Sequence, residues 1–388
     1  LEVEPLITKV LQSLFVLMGL LFFTGVVALY VIISGGLHFR GLLLTVPICL
    51  FVLFVCLIFN WLTTTKRKIW LAGVIGIALL IASIKPIQHY YKMSIPTVAA
   101  EVNVLVYQPF TEQNKVVKSD SKASLQLVES LPRLDGATAM YPLYAAFVEA
   151  TYPKGNYPYD RSRVMVSRTP EAYQNLISGD VDLIFVAAPS ESQKRQAEMK
   201  GLTFDMTPIG REAFVFFVNH KNSVENLSLE QFKQIYAGKI TNWHEVGGEN
   251  AAIRAFQRPA DSGSQTTLES IMGDTPIMEA PAENVATGMG GIIHEVSQYR
   301  NYKNAIGYTF RFYSTEMVSN KEIKLLSIDG IAPTKENIRN GTYPLVSEFY
   351  AVTAGTDNPN VKKFIDWIVS DEGQALVEKV GYVRVEND

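Results

Sequence analysis

The chain has 388 residues, with 35 Lys+Arg against 38 Asp+Glu and a formal charge of -3. That length suggests two or three domains, and the charge balance excludes a nucleic-acid binder, which would carry a strongly basic face. Hydrophobic residues make up 48%, high for a soluble protein, and the excess is concentrated in the N-terminal quarter. Cys49 and Cys56 share one apolar run, and the five histidines never fall at ligand spacing. The sequence therefore points to no disulfide, no metal centre and no other cofactor.

In chain order, residues 10–34 and 41–62 carry no charge, and a third apolar run, 69–87, is interrupted only by Lys85, which can snorkel to an interface. About 20 apolar residues suffice for a helix to cross the hydrocarbon. Three such runs exceed a cleaved signal peptide, which has a single short apolar core. Residues 1–93 are thus expected to form a membrane domain of three transmembrane helices. Lys66-Arg67-Lys68 lies between the second and third runs. The excess of cations on cytoplasmic loops puts the N-terminus in the cytoplasm and the rest of the chain outside the cell membrane. Residues 94–130 read as a polar linker, with a short strand expected at 102–107 where Val alternates with other residues.

Past residue 131 strands and helices alternate. Helices are expected at 139–151, 169–177, 229–236, 265–272 and 361–377, and strands at 164–166, 181–188 and 214–218. Thr169-Pro170 is a good helix start, and Ser178-Gly179-Asp180 a good stop. The alternation predicts an α/β domain with mainly parallel sheets. Three turns before helices share small residues and a hydroxyl: Asp135-Gly136-Ala137-Thr138, Ser167-Arg168-Thr169 and Asp261-Ser262-Gly263-Ser264. A helix N-terminus offers free N–H groups and the positive end of the dipole, which suit an anion. Arg258 stands four residues before Ser262, and a guanidinium can hold two oxygens of one oxyanion. Each loop alone reads first as a helix cap; three with an arginine point to an anion site.

Further residues carry a family resemblance. Leu229-Glu230-Gln231-Phe232, Ile235-Tyr236-Ala237-Gly238-Lys239-Ile240-Thr241-Asn242-Trp243 and Val246-Gly247-Gly248 lead to Arg258 and Ser262-Gly263-Ser264, then Ala305-Ile306-Gly307-Tyr308. With Gly136-Ala137-Thr138, Pro142 and Tyr144, this stretch of 131–385 resembles the PstS-like phosphate-binding proteins of ABC-type phosphate transporters. The resemblance implies a type II periplasmic-binding-protein fold over 131–388, two α/β lobes with a hinge, here preceded by three transmembrane helices. Lobe 1 would comprise 131–218 and 343–388, and lobe 2 219–342, with crossing strands near 214–219 and 343–352. It implies phosphate or a related oxyanion as ligand, held by Thr138, the Ala139 backbone N–H, Thr169, Arg258, Ser262, Gly263 and Ser264. An ABC permease is the implied partner.

Two departures stand out. The family usually has an acid shortly after the Val181-Asp182 pair, where this chain reads Ala187-Ala188-Pro189. A carboxylate there would accept the proton of hydrogen phosphate and repel sulfate. Its loss leaves phosphate-over-sulfate choice open, with Asp135 as the candidate substitute and Arg168 as a possible further ligand. The second departure is the membrane anchor, which confines the receptor and suits uptake or sensing. No nucleophile elbow, phosphate-binding Walker loop or metal cluster argues for an enzyme. The alternative is a degenerate binding module that signals from the membrane without binding phosphate.

Overall fold

A computed structural model describes residues 6–33, 36–95, 102–280, 302–318 and 321–385 of the protein. The expected end of the first span at 34, the start of the linker at 96–101 and His294 lie outside these residues. The chain divides into two compact units, Leu1–Pro96 and Thr97–Asp388.

The first unit holds three helices, α1 (Leu6–Ile33), α2 (Arg40–Ile58) and α3 (Thr65–Ser94). Each is long and apolar enough to cross a membrane. Their large apolar side chains are mostly exposed, Phe15 and Ile33 among them, as lipid-facing residues would be. The third helix runs well past the short apolar run that announced it. Its 30 residues span about 45 Å, so its ends extend beyond a hydrocarbon core of about 30 Å. Thr64 caps it by accepting from Arg67 N. The Arg67 guanidinium donates to the Trp61 carbonyl at 3.2 Å and lies over the Trp61 ring. At another place in this unit the rings of His38 and His89 stack, with centroids 3.8 Å apart. Among the described residues, no group of three or more His, Cys, Asp or Glu could hold a metal.

The second unit begins differently from the sequence expectation. Val104–Tyr107 forms a 3-10 turn, not a strand, because the Asn103 side chain accepts from Leu105 N and turns the chain. Nor do residues 102–130 behave as a free linker. Tyr107, Val116, Ala123 and Leu127 are buried in the core. Glu149 also accepts from Phe110 N at 2.7 Å and Asn114 Nδ2 at 2.6 Å. These contacts tie the segment to α4 (Tyr141–Thr151).

The main sheet is built from β1 (Leu134–Gly136), β2 (Leu183–Val186), β3 (Asp205–Asn219), β5 (Arg254–Ala255), β6 (Ala305–Phe310), β7 (Ile323–Leu325) and β9 (Val346–Thr353). Their order is β1-β2-β9-β3-β6-β5, with β7 also on β3. A separate parallel pair joins β4 (Asn226–Leu227) to β8 (Ser327–Ile328). The expectation of mainly parallel sheets is corrected here. β1/β2 and β5/β6 are parallel, but β9 and β3 make antiparallel pairs with every neighbour. Both strands follow a helix in chain order, so the local βα pattern suggested parallel pairing and could not announce their reversed direction. The expected strand at 164–166 is reduced to one bridge, Val164 to Leu134. The expected helix at 361–377 is two helices, α10 (Pro359–Val369) and α11 (Asp371–Val380). Ser370 adopts extended backbone between them, and the second helix starts so close to the first that a Cβ on Gly373 would meet Ile368 O at 2.3 Å.

β3 organises this unit. Its first part, Asp205–Ala213, pairs with β9, and its second part, Phe214–Val218, pairs with β6. One continuous strand thus belongs to two sheet halves, and the change of partner falls between Ala213 and Phe214. The aromatic rings of Phe214, Phe216, Phe232, Tyr236 and Tyr308 pack together beyond that point, while Tyr144 stacks on Phe185 before it. Glu212 is buried at the changeover, accepting from Ala213 N at 2.9 Å and Phe312 N at 2.8 Å.

Burial pushes the Glu212 carboxyl up to about 7 from an ordinary 4.5, against the two backbone N–H groups and the nearby Arg311 and Lys335 charges. A carboxyl with a raised native pKa keeps its proton where the unfolded chain has lost it. Its contribution therefore makes stability fall as pH rises from 4.5 to 7. Glu212→Gln should remove that slope. In chemical denaturation at a series of pH values, wild type should lose about 3 kcal/mol relative to the variant across this interval.

Candidate functional site

The first loop leaves β1 at Gly136. A side chain there would meet Phe185 O at 2.6 Å, so glycine is required by a close backbone approach. Ala137 N donates to that same carbonyl at 2.9 Å, and Thr138–Met140 then makes a 3-10 turn into α4. The Ala139 carbonyl is held by the Tyr382 hydroxyl, which anchors the peptide that follows the candidate Ala139 N–H.

The second loop precedes α5 (Thr169–Ser178), which ends on Gly179 in the left-handed region. Its N-cap is Arg168, at φ 81° and ψ 165°, a region that non-glycine residues occupy only at a cost of about 1–3 kcal/mol. The surrounding contacts enforce it. Arg168 N donates to Gly136 O at 3.2 Å, and Ala172 N donates to Arg168 O at 2.9 Å. Asp135 supports the same loop. Its Oδ1 accepts from Gly136 N at 2.7 Å and Ser167 N at 2.9 Å, and its Oδ2 accepts from Asn175 Nδ2 at 2.8 Å and from the Ser167 hydroxyl. Desolvation raises its pKa, and these hydrogen bonds oppose the shift.

The third loop is anchored by α8 (Gly263–Met272), with Ser262 as N-cap accepting from Gln265 N. Gln265 Oε1 accepts from Arg258 N at 3.0 Å and from the Tyr308 hydroxyl, so the arginine is fixed to the helix it precedes. Arg258 Nε is shut off from solvent and has no hydrogen-bond partner among the described residues. Desolvation presses the Arg258 pKa below its ordinary value, opposed by Tyr313 and Tyr308 and reinforced by the Arg168 charge. The last effect places the two guanidinium groups within electrostatic reach of each other.

The second and third loops converge. A Cβ on Gly263 would lie 3.1 Å from Thr169 Oγ1 and 3.5 Å from the Ala187 methyl. Thr169 is buried and Gly263 begins its helix, so small residues are needed on both sides. Thr138 and Ala139 belong to the first loop, joined to the second through Asp135 and the Arg168 N to Gly136 O bond. Ser262 and Ser264 flank Gly263 in sequence. The Ala187 carbonyl accepts from Tyr173 OH at 2.9 Å, and the side chain at this position is a methyl group in place of an acid. Asp135 is not brought into the role of substitute acid, because four protein donors occupy its two oxygens.

Sequence reasoning missed Glu171. Its Oε1 is paired with Arg168 Nη2, and its Oε2 is shut off without a partner among the described residues. An acid in the first turn of a helix ordinarily reads as a dipole complement, but its spacing of three from Arg168 is a sequence signal for an ion pair.

Residues 126–372 match the PBP superfamily domain. The chain belongs to that superfamily. It has a mixed α/β periplasmic-binding-protein fold preceded by three long apolar helices. It is similar to the phosphate-binding protein PstS of Bacillus subtilis, at 26% identity over 275 residues, covering 70% of this chain and 87% of the relative. PstS of Staphylococcus epidermidis strain RP62A is 28% identical over 225 residues, covering 55% of this chain and 67% of that one. Among solved structures, a putative phosphate ABC transporter substrate-binding protein with bound phosphate from Clostridium perfringens shares 26% identity. Its TM-score is 0.49, with coverage of 65% of this chain and 98% of that chain.

The Asp135 network predicts a structural phenotype. Asp135→Asn turns one acceptor oxygen into a donor facing Ser167 and Asn175, which should lower the unfolding free energy by about 1–3 kcal/mol. The ratio of phosphate to sulfate affinity, measured on the same variant, should stay at the wild-type value.

Proposed function

We propose that this chain is a membrane-anchored receptor that binds inorganic phosphate, or an oxyanion of the same tetrahedral shape, outside the cell. The observation that carries the reading is the convergence of Thr169, Gly263 and Ala187, together with a solvent-excluded guanidinium nitrogen of Arg258 that lacks a partner among the described residues on a residue whose backbone is bonded to Gln265 of the same helix as Gly263. A buried charge needs a counter-charge or hydrogen bonds, and an oxyanion supplies both. The proposed ligands are Thr138, the Ala139 N–H, Thr169, Arg258, Ser262, Gly263 and Ser264, with Arg168 contributing charge. Asp135 supports the loops from behind.

The similarity to PstS proteins favours phosphate. The methyl of Ala187 favours a relaxed choice, since hydroxyl groups can accept the proton of hydrogen phosphate and can equally donate to sulfate. In this reading β3 and β9 are the crossing strands about which two lobes, 131–218 with 343–388 and 219–342, open and close. The chain binds and releases its ligand without chemistry. Three spans with the cationic 66–68 loop in the cytoplasm hold the receptor at the membrane, for delivery to an ABC permease or for sensing.

The test is calorimetric titration of the full chain in lipid nanodiscs with phosphate and, separately, with sulfate. Phosphate should bind at one site. Arg258→Ala should weaken it by about 30-fold or more while the circular dichroism spectrum is kept. Unchanged affinity in the variant would overturn the site assignment. Silence of wild type toward both anions would favour the degenerate signalling module.

A further inference from the structure

The loop before α8 is fastened to the opposite sheet half by one residue, Asp261. Asp261 follows β5, and it meets the start of α6 (Glu191–Met199), which follows β2. Ser190 Oγ donates to Asp261 Oδ1 at 2.6 Å across a sequence separation of 71 residues. Gln193 Nε2 donates to the Asp261 carbonyl at 3.2 Å. Asp261 itself sits at φ 63°, a left-handed conformation that Asp tolerates better than most residues. The next residue, Ser262, is the cap of the anion-loop helix.

Ser190 and Gln193 also form a capping box. Ser190 Oγ accepts from Gln193 N at 3.1 Å, and Gln193 Oε1 accepts from Ser190 N at 2.8 Å. That box uses only the acceptor atoms of the two side chains. Asp and Glu at these positions would cap α6 as well. What Ser and Gln add is a hydroxyl proton and an amide N–H, and both are directed to Asp261. Ser190 and Gln193 are buried, so these donors are withdrawn from bulk water.

We infer that the Ser190/Gln193 cap is a latch that grips Asp261 and holds the Ser262–Gly263–Ser264 loop against Thr169 and Ala187, setting how long a bound anion stays. Ser190, Gln193 and Asp261 are positioning residues and none contacts the anion. The inference rests on the reading of 262–264 as an anion loop.

Ser190→Asp and Gln193→Glu test it, because both keep the capping box and remove the outward donor, and Ser190→Asp also sets two carboxylates face to face. Ser190→Thr keeps every bond. The full chain in nanodiscs is examined by hydrogen–deuterium exchange over residues 261–267 and by stopped-flow phosphate exchange. Each donor-deleting variant should raise exchange over 261–267 in buffer alone. Ser190→Asp should also speed phosphate release about tenfold, the worth of one hydrogen bond to a charged group, and Gln193→Glu about threefold, the worth of one to a neutral carbonyl, each with the association rate within twofold of wild type. Ser190→Thr should match wild type in both. Wild-type exchange and release in the donor-deleting variants would overturn the latch, as would equal defects in Ser190→Thr and Ser190→Asp. If wild type bound no phosphate, the functional reading would fall, and the exchange data would still decide whether the latch exists.

Discussion

A guanidinium group enclosed by protein must find negative charge or acceptors, because removing it from water costs several kcal/mol. Among the described residues no carboxylate forms an ion pair with Arg258, and its Nε has no acceptor. Desolvation is the largest influence on it, and the Arg168 charge adds to the strain. The rest of the second unit makes this arrangement tolerable. Gln265 and Tyr308 accept and fix the Arg258 backbone N–H. Gly136 and Gly263 let backbone approach where a side chain would not fit. Asp135 spends its carboxylate on holding the Ser167 loop, which keeps Thr169 in place. An anion entering between these loops would relieve the unpaired positive charge, and its binding energy would include that relief.

The second constraint is β3. A strand that pairs with β9 over Asp205–Ala213 and with β6 over Phe214–Val218 couples two sheet halves without a joint in the chain. Loops that follow β2 and β5 belong to different halves, yet they meet at Ser190 and Asp261. In the proposed reading, opening the site would break the two hydrogen bonds to Asp261 and the packing of Gly263 on Thr169. The buried Glu212 lies at the point where β3 changes partners, so its protonation state bears on the stability of the same region.

Much of this was legible locally. The three apolar helices, the Thr169-Pro170 start, the Ser178-Gly179 stop and the helix at 229–236 all follow from short-range rules of periodicity and capping. The small residues of the three loops also announced themselves. What was hidden depends on partners remote in sequence. β9 inserts between β2 and β3, and that antiparallel pairing cannot be read from a βα alternation. Asp135 looked available to a ligand because its four donors, from Gly136, Ser167 and Asn175, assemble only after α5 has packed on β1. Residues 102–107 carried enough Val to suggest a strand, but no edge received them and Asn103 turned them instead. Ser190-x-x-Gln193 is readable as a capping box, whereas the direction of its spare donors is not. Glu171 is a different case, since its Arg168 partner lies only three residues away and the dipole reading of a first-turn acid masked the pair.

The most direct measurement of the central claim is the location of a bound tetrahedral oxyanion. Crystals of the full chain grown with arsenate, a heavier analogue of phosphate, would show arsenic by anomalous scattering. The account predicts one strong peak within hydrogen-bonding reach of Arg258, Thr169 and the 262–264 loop. A peak elsewhere, or none at saturating arsenate, would contradict it.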